Sequence, residues 1–152
     1  EKPKGIGNSV TLPTDYNSLE NLNKVLLELT EQVTYRLRAE NMLANVVNVQ
    51  IKTKDFRIFS HQRKMEFSTA STKIIYEEAR KLNSELYKTG TYVRLIGIRV
   101  DDLVDEKDRQ ISLFENNENR KQEKLDYTLD KLKNKFGYNS IKRAGELKKE
   151  KR

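Results

Sequence analysis

An α+β domain is the fold the sequence predicts: a four-stranded sheet in the order βαββαβ with both helices on one face. Three observations predict it. VVNVQIKT (46–53) alternates, with Val47, Val49 and Ile51 facing one way and Asn48, Gln50 and Lys52 the other. Two longer segments, about 18–40 and 72–88, repeat apolar residues at three and four, the spacing of a helix with one buried stripe. The remaining β-prone runs fall one before the first helix, one between the helices and one after the second. That order leaves one sheet face covered and the other open.

GIGNSVTL (5–12) forms the first strand, and Pro13 is expected to end it. Asp15 or Ser18 then caps a helix reaching about Glu40, with Leu19, Leu22, Leu26, Leu29, Val33 and Leu37 along its stripe. The alternating strand at 46–53 is followed by a turn around KDFR and a less cleanly patterned strand, IFSHQRKMEF (58–67). Ser71 caps the second helix, whose inner face carries Ile75, Ala79, Leu82 and Leu86, and YVRLIGIRV (92–100) is the fourth strand. Beyond residue 101 the character changes. An acidic linker, DDLVDEKD (101–108), leads to an apolar cluster at 110–114. A third helical pattern follows, with Leu125, Leu129, Leu132 and Phe136 at helical spacing and Gly137 as C-cap. That helix finds no obvious partner in the βαββαβ unit. The segments divide as a linker and first strand (1–12), a folded domain (4–104), a flexible linker (105–118) and a helix with a basic tail (119–152).

The 152 residues suffice for one domain plus extensions, and with 36% apolar and 35% charged residues the whole length is not expected to pack. A start at Glu1 and the linker-like KPKGIGN read as a piece of a longer protein. The absence of cysteine excludes disulfides and thiolate metal sites and fits a reducing cytoplasm. No apolar run approaches the roughly 20 residues of a membrane span, so no membrane partner is expected. The net charge of +7 is uneven: residues 50–100 hold 11 Lys/Arg against 5 Asp/Glu, and 131–152 hold 9 against 2. A basic middle favours a polyanionic partner. GIG (5–7) is too short for a phosphate loop, and a lone His61 offers neither a metal site nor a catalytic dyad. The paired acids Glu77-Glu78 and Asp101-Asp102 read as solvated. No catalysis and no cofactor are expected within these residues.

Three stretches together resemble the C-terminal little finger (polymerase-associated) domain of Y-family, UmuC/DinB-type translesion DNA polymerases. KGIGNSVTLP is similar to the family's K-S-I-G-x-x-x-T first strand, KDFRIFSHQRKMEF to its D-F-R-x-x-S-R hairpin, and VRLIGIRVDDL to its closing V-R-L-[IL]-G-V-R-V-x-x-L strand. They arrive in the family's order over residues 4–104, departing at Gly5 for the frequent Ser and His61 for the frequent Arg. The resemblance implies that the open sheet face lies along the major groove and holds primer–template backbones without reading sequence. Carried over residue by residue, it implicates Lys4, Asn8, Ser9 and Thr11 on the first strand. It adds Lys52 and Lys54 at the outward end of the second, Ser60, His61, Gln62 and Arg63 on the hairpin, and Arg94 and Arg99 on the last. Strict alternation would put Arg94 on the core side, while Gly97 shares the outward side with Arg99 and lets a ligand approach the backbone.

QISLF, formed by Gln110, Ile111, Ser112, Leu113 and Phe114, resembles the Q-L-x-L-F peptide by which bacterial polymerases dock on the sliding clamp. Gln110 would hydrogen-bond at the pocket rim while Leu113 and Phe114 fill it. Burial worth roughly 1.5–3 kcal/mol per side chain, less about 0.5–1.5 for immobilising each, leaves a contact on the order of micromolar. The resemblance further implies a Mg²⁺-dependent, error-prone polymerase as parent, acting in lesion bypass and the SOS-type damage response, with its metal-binding acids upstream. Two other classes remain open: a freestanding RNA-binding module, which would need aromatics such as Phe59 mid-sheet, and a protein-interaction adaptor built on QISLF and the third helix.

Overall fold

A computed structural model describes residues 2–110, 112, 115 and 117–137. The chain runs β1 (Gly5–Tyr16), α1 (Leu19–Ala39), β2 (Met42–Thr53), β3 (Ile58–Thr69), α2 (Thr72–Leu86), β4 (Val93–Asp101), β5 (Val104–Asp105), a single 3₁₀ turn (Glu106–Asp108) and α3 (Asn117–Phe136). The main sheet has the order β1-β4-β2-β3 with every neighbouring pair antiparallel, and β5 adds a two-residue pairing to Met42 and Leu43 of β2. The βαββαβ expectation holds, with one short strand more.

Both helices cover the same face, α1 over β1 and β4, α2 over β2 and β3. Period-two alternation puts Ile6, Val47, Val49, Ile51, Ile96, Ile98 and Val100 beneath them, and the stripes Leu22–Leu26–Leu29–Val33–Leu37 and Ile75–Ala79–Leu82 close the core from above. Each helix begins where a serine can accept a backbone hydrogen bond: Ser18 Oγ from Asn21 N (3.3 Å) and Ser71 Oγ from Ile74 N (3.2 Å). β1 continues through Pro13 to Tyr16, four residues beyond the expected end. It is an edge strand, so the missing N–H leaves no ladder partner unmet, and the register slips between Thr11 and Tyr16 to accommodate it.

α3 docks by a different side from its leucine stripe. Asn119, Glu123, Asp126 and Asp130 are buried, while Leu125, Leu132 and Phe136 are exposed. The acids bury because they find donors. Arg38 of α1, itself buried, reaches Asp130 through Nε (2.6 Å) and Nη2 (3.0 Å) and Asp126 through Nη1 (3.5 Å). Asp126 accepts from Thr72 N (2.9 Å) and Glu123 from Ala70 N (3.2 Å), at the positive N-terminal end of α2. The described part of the expected flexible linker is likewise tied down: Arg109 pairs with Glu106 (2.8 Å), Glu115 (3.3 Å) and Glu123. Burial lowers the Arg109 pKa, but the hydrogen bonds and charges of Glu123 and Glu106 outweigh it and hold the guanidinium above its usual range. Gly137 ends α3 at φ 99°, its N–H bonded to Lys133 O (2.7 Å).

Candidate nucleic-acid interface

The sheet face that no helix covers is built by the other half of each alternation. The register sets Ser9 opposite Gly97, Gly97 opposite Gln50, and Gln50 opposite Ser60; one step along, Gly7, Arg99, Asn48 and Gln62 form the next row. Small and amide side chains therefore fill the middle of the face. A hollow of about 370 Å³ opens there, lined by Gly7, Ser9, Asn48, Gln50, Gly97 and Arg99. Gly97 has a packing reason as well: a Cβ on it would lie 2.9 Å from Ser9 Cβ. Arg99 stands half exposed at the rim, Nε 2.8 Å from Asp101 Oδ1.

The other end of this face is also cationic. Opposite β2 the register shifts so that Lys52 pairs with Leu95 but Thr53 with Val93, leaving Arg94 as the extra, bulged residue. The Arg94 guanidinium lies 4.6 Å from the centre of the Phe56 ring and the Lys52 ammonium 5.3 Å from it, so Arg94 joins the open-face lysine rather than the core. Its Nε also approaches Asp15 Oδ1 at 3.7 Å. Phe56 reaches this place from the β2–β3 turn by a positive φ of 65°.

The structure divides the sequence-derived residues between two sides. Ser9, Thr11, Lys52, Ser60, Gln62 and Arg99 share the open face, and Lys4 is exposed just before β1. Four of the implicated residues lie off this face. Asn8 alternates with Ile6 to the helix side, where its Nδ2 donates to Gln32 Oε1 of α1 (2.5 Å). Lys54 lies past the end of β2, in the turn, with its ammonium 5.5 Å from the Tyr92 ring. His61 and Arg63 pair with Val49 and Val47 and point toward α2: Arg63 reaches Glu85 (2.8 Å) and Glu78 (3.4 Å), and His61 Nε2 lies 3.6 Å from Glu85. The Arg63 hydrogen bond holds the Glu85 carboxyl below its ordinary range. Asn48 and Gln50, central to the hollow, were not among the implicated residues, although the alternation of 46–53 placed them outward.

Phe59, on which the RNA-binding reading depended, pairs with Ile51 on the helix side, and the register-paired rows of the open face hold no aromatic residue. Of the QISLF segment, Gln110 and Ser112 line a polar hollow of about 340 Å³ with Arg109, Glu115 and Arg120. Ile111, Leu113 and Phe114 lie outside the described residues. Among the described residues no group of three His, Cys, Asp or Glu could hold a metal ion, and no helix is long and apolar enough to cross a membrane.

An antiparallel sheet with two helices on one face and a polar, cationic opposite face defines an α+β class of domain, and comparison with known proteins narrows it. The family model described as "impB/mucB/samB family C-terminal domain" matches residues 3–113. The chain therefore belongs to this family, the little finger domain of Y-family DNA polymerases. It is 36% identical over 147 residues to DNA polymerase IV of Clostridium acetobutylicum, an alignment covering 97% of this chain and 37% of that protein. The chain thus spans little more than a third of the relative's length. In fold it is similar to the insertion ternary complex of Dbh DNA polymerase, with a TM-score of 0.60 at 21% identity over 66% of this chain and 29% of that one. It is also similar to the little finger domain of PolIV in complex with the beta-clamp processivity factor, with a TM-score of 0.55 at 22% identity over 73% of this chain and 99% of that one.

Proposed function

We propose that this domain grips primer–template DNA through its open sheet face and tethers an error-prone Y-family polymerase to the sliding clamp during translesion synthesis. The observation that carries the first half is the uncovered face itself. Its centre is lined by side chains too short to hold a phosphate away from the backbone, and Arg99, Lys52, Arg94 and Lys64, the last paired with Val46, stand around it. Such a face favours backbone over base contacts, which suits an enzyme that meets damage in any sequence. Ser9, Thr11, Asn48, Gln50, Ser60 and Gln62 supply neutral hydrogen bonds and the cations supply charge. His61 and Arg63, engaged by α2, hold the hairpin on the helix layer instead, and Asn8 does the same for β1.

The second half rests on Gln110–Phe114. A relative in fold has been captured with a clamp processivity factor, and the segment carries a glutamine followed by three large apolar side chains, Ile111, Leu113 and Phe114. In a whole polymerase of this family, nucleotide addition with Mg²⁺ belongs to residues outside this chain, and the domain works where chromosomal DNA is, in the cytoplasm of a bacterium.

Salt dependence of duplex binding tests the grip. With at least four cations on the face, Lys52, Lys64, Arg94 and Arg99, log K should fall linearly with log salt with a slope of about −3 to −4, at similar affinity for unrelated sequences. A slope near zero, or strong preference for one sequence, contradicts it.

A further inference from the structure

The hairpin end of the domain carries a second surface that meets the duplex grip only at Lys52 and Arg94. Three aromatic rings are exposed there, Phe56, Phe59 and Tyr92, with Phe56 61% accessible. Each has a cation over it. Phe56 has Lys52 and Arg94; Tyr92 has Lys54 at 5.5 Å; Phe59 has Arg57 at 5.7 Å. Phe59 and Tyr92 border the largest of the described hollows, about 600 Å³, with Ile51 and Leu86 at its apolar base. That volume falls within the roughly 300–1,000 Å³ of small-molecule sites. Lys54, Arg57 and Lys88 stand around it, and its acid, Asp55, is already engaged by Thr53 Oγ1 and by Arg57 Nε at 2.8 Å. The hollow lies round the corner from the open face, and Phe56 marks the passage between them.

We infer that this hollow takes an unstacked base of single-stranded DNA, with the strand running from the open face past Phe56 toward Tyr92. The inference rests on the proposed duplex grip for the origin of the strand but not for the chemistry of the hollow. Rings flanked by cations recognise any base by its π-face and any backbone by its charge, which only unpaired strands offer together. Duplex bases are stacked on one another and present no face to Tyr92. An acidic peptide with an aromatic anchor would meet the same charges, but nothing about it accounts for the continuity with Phe56, Lys52 and Arg94 on the open face.

The test is fluorescence anisotropy of the 152-residue chain with three labelled ligands: a blunt duplex, the same duplex with a single-stranded thymidine tail, and the tail alone. The tail should strengthen binding roughly five- to tenfold, the lower part of the range for one stacked base. Tyr92→Ala should remove that gain and leave the blunt duplex unchanged, while Tyr92→Phe should keep it. Independently of any variant, adding the tail should shift backbone amides at Thr53–Arg57 and Lys88–Tyr92 of the unaltered protein. Tail binding that depends on Tyr92 without any binding of blunt duplex would sustain the inference and sink the duplex grip. A gain that survives Tyr92→Ala, no gain in the unaltered protein, or amide shifts elsewhere would overturn it. So would Tyr92-dependent binding of a glutamate-rich aromatic peptide in place of the tail.

Discussion

Arg99 crosses the open face above Gly5, and it does so because Gly5 has no side chain: a Cβ there would fall on the Arg99 guanidinium and the Asp101 carboxylate. Asp101 offsets part of the charge that Arg99 presents. Two unit charges about 4 Å apart in water interact by roughly 1 kcal/mol, so Asp101→Asn should raise duplex affinity about two- to fivefold in a binding titration. Glu85 gives a pH signature on the opposite face. Its folded pKa is depressed by the Arg63 hydrogen bond, so its contribution is present above the ordinary carboxylate pKa and is lost as pH falls through the lower folded value. Carbon-detected NMR should place its midpoint below that of a free glutamate, and Arg63→Ala should return it upward. Alternation read from sequence assigned the centres of β2 and β4 correctly but failed at Arg94. One bulged residue reverses a side chain, and nothing in VRLIGIRV signals a bulge. At His61 and Arg63 the cause is different. A basic residue on a strand looks alike on either face until the acids of α2 are known to lie beside it.

Among elements, α3 departs furthest from its pattern. Its leucine spacing is genuine and marks the exposed side, whereas the helix is held by acids that meet Arg38 and the N-terminus of α2. Periodicity reports which residues share a face and not which face is buried, so this docking was illegible without Arg38 in place. Removing one partner of a buried ion pair typically costs about 3–5 kcal/mol. Arg38→Ala should therefore strip hydrogen-exchange protection from α3 while the amides of β2 and β4 stay protected. Equal protection in both forms would show that the acid cluster does not hold the helix. The strands and the first two helices were legible because each must bury one face of a shared core. Ile96→Ala, at its centre, should cost about 2–5 kcal/mol in denaturant unfolding.

At the scale of the whole molecule, the two sheet faces do different work. One is closed by helices and ion pairs and gives rigidity; the other stays open, short in side chains and positive at both ends. The proposed clamp segment, Gln110–Phe114, falls between Arg109 and α3 in the sequence. Calorimetric titration of a bacterial sliding clamp should give binding on the order of micromolar that Leu113→Ala/Phe114→Ala abolishes. The central claim, that the open face holds DNA, is tested most directly by duplex affinity of two double variants compared side by side. Lys52→Ala/Arg99→Ala removes two cations from the open face, and His61→Ala/Arg63→Ala removes two basic residues from the helix side. The account predicts a loss of at least about tenfold and a salt slope shallower by about 2 for the first, with little change for the second. Equal losses, or a larger loss from His61→Ala/Arg63→Ala, would contradict it and place the DNA against the hairpin edge and α2.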